Sequence, residues 1–168
     1  MAHTLHLPAL QCRHLLTICR RAIADLDDAH VALEPRPGLK TAGWLIGHLT
    51  MTGDFGRRLC GYTDAICPKE WRERFMPGSM PSADQRQYPP MNELRSALVN
   101  VYGDFPDAAE SADETLLSKD NPYEPTRSRF PTAGLFAGYL LAGHFGYHLG
   151  QLTSWRAAIG LPVLGQAE

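Results

Sequence analysis

Three of the seven histidines in this 168-residue chain sit where side chains should point inward: His48, His144 and His148. His144 and His148 are four residues apart, a spacing that puts both imidazoles on one face of a helix, about one turn from each other. Two ligands of one metal ion need that geometry, as in the zinc proteases built on H-E-x-x-H. A third imidazole must come from another segment, and His48 is the donor on the neighbouring apolar stripe. Three neutral imidazoles suit Zn²⁺, Ni²⁺ or a similar borderline ion and suit Mg²⁺ or Ca²⁺ badly. The expected cofactor is one divalent transition metal ion, zinc or nickel. The competing reading is that each histidine is a hydrogen-bonded core residue, since a polar group on a core stripe must be satisfied somehow.

The elements that must carry these residues are helices. A first helix is expected from Pro8 to Asp28, with Cys12, Leu15, Cys19, Ala22 and Leu26 as its buried stripe. The run Glu34-Pro35-Arg36-Pro37-Gly38 cannot continue it. A second helix should run from an N-cap at Thr41 to a C-cap at Gly61, with Leu45, His48, Thr52, Phe55 and Leu59 inward. A third begins near Pro90 and carries Leu94, Leu98, Val101 and Phe105, with a kink or early end expected at Gly103 and Pro106. The fourth is capped by Thr132 and stopped by Gly160 and Pro162. Its inward face reads Phe136 or Ala137, Leu140, His144, His148, Gln151 and Trp155. Residues 62–89, rich in Pro, Gly, Met and Ser, are expected to form one long irregular connection between the second and third helices. The fold class is all-α: a four-helix bundle in a single domain spanning 1–168.

Composition narrows the function classes. Apolar residues make up 44%, enough for one contiguous core. With 16 basic and 18 acidic residues and a formal charge of −2, there is no basic footprint for nucleic acid. No apolar run approaches the roughly 18 residues of a spanning helix, and no secretory signal pattern opens the chain. A cytoplasmic protein without a membrane partner is expected. Cys12 and Cys19 would lie about 10 Å apart along one helix, too far for a disulfide. Cys60 and Cys67 form no CxxC pair. All four cysteines read as buried, reduced thiols.

The resemblance to a known family rests on two segments, TAGWLIGHL over residues 41–49 and GHFGYHLGQ over residues 143–151. The tail from Trp155 to Pro162 adds to it, as does the stretch from Asn121-Pro122-Tyr123 to Arg129-Phe130-Pro131-Thr132. Over nearly its whole length the chain resembles the DinB/YfiT-like superfamily of four-helix metal-binding proteins. That resemblance implies a metal triad of one histidine on the second helix and an HxxxH pair on the fourth. Here those positions are His48, His144 and His148. Some relatives transfer or isomerise with a low-molecular-weight thiol, so a small-molecule thiol is the implied substrate. The interruption at Gly103 and Pro106 departs from a regular bundle.

Three histidines leave a tetrahedral ion one ligand short, and an open position is the mark of catalytic rather than structural zinc. Cys60 cannot close the shell, being about 18 Å along the helix from His48. Three functions stay open at this point: transfer of a thiol to an electrophile, metal-dependent hydrolysis, and a non-catalytic stress-response or binding module. No catalytic residue is assigned. Phe145 stands where H-E-x-x-H has its glutamate, and Asp54, six residues from His48, points off the ligand face. Gln151 could bond a ligand or merely a backbone group. Trp44 and Tyr147 could line a pocket or simply pack. Arg57 and Arg58 read as surface charges, and Arg156 as a solvated helix end with an anionic substrate as its alternative partner. His3, His6, His14 and His30 receive no role. A homodimer through one apolar helix face is expected.

Overall fold

The computed structural model describes residues 4–162 and is all-helical, with no β-strand among them. His3 lies outside the described residues. No helix among them is long and apolar enough to cross a membrane.

Helix α1 spans His6–Ile23, so it starts two residues before Pro8 and stops five before Asp28. Asp27 explains the early stop. Its carboxylate accepts from the Ala29 amide and pairs with His30, capping a 3₁₀ turn over Asp28–His30 that competes with further helix. The last carbonyls of α1 are taken by guanidinium groups from elsewhere. Arg95 donates to the carbonyls of Ile23, Ala24 and Leu26, and Arg156 to that of Ala22. Cys12, Cys19, Ala22 and Leu26 are buried as expected, but Leu16 rather than Leu15 completes the stripe.

Helix α2 spans Ala42–Leu59. Thr41 caps it by accepting from the Trp44 amide at 3.2 Å, and Gly61, at φ +105°, turns the chain away from it. It is buried on almost every side, which explains why Arg57 is not a surface charge. Arg57 is 1% exposed and reaches Asp54 and Asp64 at 3.2 and 3.1 Å, while Arg58 remains exposed as expected.

The crossing from Tyr62 to Pro89 is not structureless. It holds a short helix, α3 (Trp71–Phe75), and a 3₁₀ turn over Gln85–Gln87. Trp71, Phe75 and Tyr88 are buried in the main core. Two aromatic residues one helical turn apart provide that anchorage, despite the surrounding Pro and Gly.

Helix α4 runs over Met91–Ser111 without ending at Gly103 or Pro106. An internal proline costs about 3 kcal/mol. Beyond it, however, Ala108 and Ala109 continue the face that buries Leu98, Val101, Tyr102 and Phe105, so stopping would forfeit a whole turn of core. After the short α5 (Glu114–Leu117), Thr132 caps α6 (Ala133–Gly138) as expected. The chain then continues as one helical run through a π-helical turn, Tyr139–His144, into α7 (Phe145–Ala158). Gly160, at φ +81°, ends it. Helix α4 packs on both α1 and α2, and the π turn and α7 close against α1 and α2.

Candidate metal centre

His48 is brought inward by α2, and the other two histidines come from the last helical run. His144 closes the π turn and His148 lies in α7. One ligand nitrogen from each lies within 4.8 Å of the other two. They are 4%, 9% and 8% exposed, so all three imidazoles are essentially removed from water.

The outer nitrogens decide which inner nitrogens are free. His48 Nδ1 donates to the backbone carbonyl oxygen of Phe75 at 2.7 Å. A carbonyl can only accept, so the proton is on Nδ1 and the Nε2 lone pair is free. His148 Nδ1 likewise donates to Gln151 Oε1 at 2.8 Å, leaving its Nε2 free. This is the usual way a ligating imidazole is oriented. His144 Nε2 lies 3.2 Å from His48 Nε2, while its own Nδ1 is buried without a partner. Two nitrogens held about 2.0–2.1 Å from one tetrahedral ion stand about 3.3 Å apart. The residues present therefore fit a metal ion.

Electrostatics point the same way. Burial pushes the His48 imidazole down to about 4 and the His144 imidazole down to about 3, and repulsion from the neighbouring imidazoles adds to both. Burial also lowers His148, opposed by its bond to Gln151. All three are neutral at pH 7, so each offers one unprotonated nitrogen, and the tautomer is fixed by the outer bond for His48 and His148.

A flat aromatic support holds the first ligand. The Trp44 ring stacks on His48 at 4.6 Å and 10°, and its Nε1 donates to Ser79 Oγ at 2.9 Å. The π turn provides a second contact. Residues five apart lie about 140° apart around an α-helix but only about 50° apart in a π turn. Tyr139 therefore shares a face with His144, their ring centroids 5.7 Å apart, and stacks on Phe130 at 4.5 Å.

Tyr147 is 63% exposed, with its ring edge-on to His148 at 5.0 Å, so it lies at the margin of the site. Asp54 is buried against Arg57 and accepts from the Ile66 amide, so it is fully engaged. Arg156 is not a solvated helix end: it is 3% exposed and forks onto the Asp25 carboxylate. His6 and His30 pair with Glu110 and Asp27. All four cysteines are free and buried, with thiols pushed up to about 12 by desolvation, and so are unreactive at neutral pH.

Sequence reasoning missed, among others, the Phe75 carbonyl, Tyr139 and Lys40, whose Nζ lies 3.9 Å from the Trp44 ring centroid. The Phe75 carbonyl carries no signal of its own, being backbone. Tyr139 is hidden by the π turn, because α-helical counting places it on another face. Lys40 could have been found: it precedes the Thr41 cap and stands four residues before Trp44.

A sequence profile of the DinB superfamily matches residues 13–152. The chain belongs to the DinB superfamily. The matched stretch contains all three histidines and every residue that supports them. No curated protein sequence matches the chain. Among solved structures it is similar to a conserved protein of Enterococcus faecalis, at a TM-score of 0.66 and 17% identity. That match covers 95% of this chain and 99% of the other, and shows that the two share a fold.

Proposed function

We propose that this DinB-superfamily chain is a metalloenzyme that binds one divalent transition metal ion, zinc or nickel, through His48, His144 and His148. Its reaction is transfer of a low-molecular-weight thiol to a small electrophile. The observation that carries this reading is the convergence of three neutral imidazoles, two of them fixed through Nδ1, with no fourth protein ligand among the described residues.

When bound, the ion supplies Lewis acidity that keeps a thiol in its thiolate form. The chain does the rest. Phe75 and Gln151 hold two imidazoles in the ligating tautomer, and Trp44 fixes the plane of His48. The buried walls keep water from competing with the thiolate. The thiol gives up its S–H proton to solvent on binding, the sulfur forms its new bond to the electrophilic carbon, and the leaving group departs with its electron pair. Thiol transfer is preferred over hydrolysis because a thiolate needs no general base. The nearest acid weighed for that role, Asp54, is already committed to Arg57 and the Ile66 amide.

Helices α1, α2, α4 and the run from α6 to α7 are taken as the four members of one bundle, in one domain of a cytoplasmic protein. A homodimer would cover Leu10, which stands exposed in a groove lined also by Leu15, Ala142 and Gly146.

Metal content of tag-free protein, measured by mass spectrometry beside His148→Ala, tests the centre. About one ion per chain, lost in the variant, is expected. Consumption of thiol and monobromobimane by the loaded protein then tests the reaction. Wild-type protein that neither carries nor takes up Zn²⁺ or Ni²⁺ refutes the proposal.

A further inference from the structure

Lys40 lies beside Trp44 at the centre and takes no part in the proposed reaction. Its Nζ lies 3.9 Å from the centroid of the Trp44 ring. That ring lies flat on His48 at 4.6 Å and edge-on to His148 at 6.2 Å. The ammonium is thus no farther from the His48 ring than the first two distances combined. It donates once, to the Ser79 carbonyl oxygen at 3.2 Å, and forms no ion pair among the described residues. An ammonium has three N–H donors, so two remain for another partner.

A half-buried cation without a counter-ion is costly to maintain, because burial weakens its hydration. Attraction to the Trp44 face returns only part of that cost. The first turn of α2 lies in the same place and presents the positive end of its dipole. No carboxylate ligates the centre, so a divalent ion with three neutral imidazoles would keep its full double charge. A thiolate would cancel only half of it.

We propose that Lys40 selects substrates bearing a carboxylate a few bonds from the metal-binding atom, so that the natural thiol is a carboxylate-bearing one. The carboxylate accepts from the free N–H donors of Lys40, which Trp44 and Ser79 hold in place. This rests on the metal-centre reading and adds the class of ligand to it.

The test loads the full chain with Co²⁺ and titrates it with mercaptoacetate and with 2-mercaptoethanol, following the thiolate-to-cobalt absorption. Mercaptoacetate should bind about three- to fivefold more tightly, the size of one solvent-screened charge pair. In Lys40→Gln the two thiols should bind equally, with cobalt still bound, and Lys40→Arg should retain the preference. Unfolding temperatures of the variants keep folding separate from recognition. Failure to bind cobalt overturns both the centre and this inference. Cobalt binding without a preference, or with one that survives in Lys40→Gln, overturns the inference alone.

Discussion

An alanine at position 47 would place its Cβ 2.5 Å from two carbons of the Phe75 ring. Ordinary carbon contacts begin near 3.5 Å, so the ring would have to retreat by about 1 Å. Phe75 is fully buried and ends α3, so it cannot swing into solvent and its backbone must move with it. The same residue's carbonyl accepts the 2.7 Å bond from His48 Nδ1. A retreat of that size takes the bond past the range in which it counts. Gly47→Ala should therefore lower zinc affinity about 10- to 100-fold, the usual effect of losing a partner that orients a ligand. Stability should fall less, because overpacking costs about 1–3 kcal/mol while alanine regains about 1 kcal/mol of helix propensity. Chelator competition measures the affinity and urea unfolding the stability. Gly150→Ala serves as control, since its Cβ would meet nothing within 4 Å. It should leave affinity alone and stabilise the apoprotein by up to about 1 kcal/mol. A Gly47→Ala protein that binds zinc as tightly as wild type would refute the link from Phe75 to the centre.

Gln151→Leu removes the hydrogen-bond partner of His148 Nδ1 and should cost about 10-fold or more in zinc affinity with little loss of stability; equal affinity by chelator competition would show that Gln151 is incidental. Metal-free protein should lose stability as pH falls from about 6.5 toward 4. The unfolded chain then takes up protons that burial denies to His48 and His144, an effect of about 2–3 kcal/mol at His48. Urea midpoints in chelator that match at pH 7.5 and pH 5 would contradict this. Arg156→Met breaks the fork onto Asp25 and uncovers the Ala22 carbonyl, so it should cost about 1–3 kcal/mol in urea unfolding; a neutral result would mean that the pair holds nothing together. Light scattering should report a dimer that Leu10→Glu turns into monomer, whereas a monomeric wild type would dispose of the proposed face.

The parts of the fold legible in the sequence are those where one local rule acts alone. Thr41 and Thr132 cap where a hydroxyl followed by an apolar run says they should, and Gly61 and Gly160 turn the chain at positive φ. The three histidines could be found because imidazoles on apolar stripes are conspicuous. Where a distant group competes with the local rule, the reading slips. Nothing near Ile23 in sequence announces that Arg95 and Arg156 will take the final carbonyls of α1. Arg57 looks like a surface residue until the crossing folds over it and Asp64 meets its guanidinium. Pro106 looks like a terminator because a propensity scale cannot see Phe105, Ala108 and Ala109 buried on either side of it.

The π turn joins these two kinds of residue. Because His144 is its last residue and His148 follows within regular α7, their four-residue spacing still places both rings on the site. Upstream, the wider turn changes which residues share that face, so α-helical counting from His148 loses register at Tyr139. The extra residue costs hydrogen-bond geometry, and such turns persist mostly where a site requires them. Here the return is identifiable: an aromatic ring edge-on to the one ligand whose outer nitrogen has no polar partner. His48 is held by Phe75 and His148 by Gln151. His144 is held by the helix itself, with Tyr139 and Phe130 as its outer wall. The third ligand is therefore positioned by backbone geometry and packing, a constraint that a sequence motif of histidine spacings does not express.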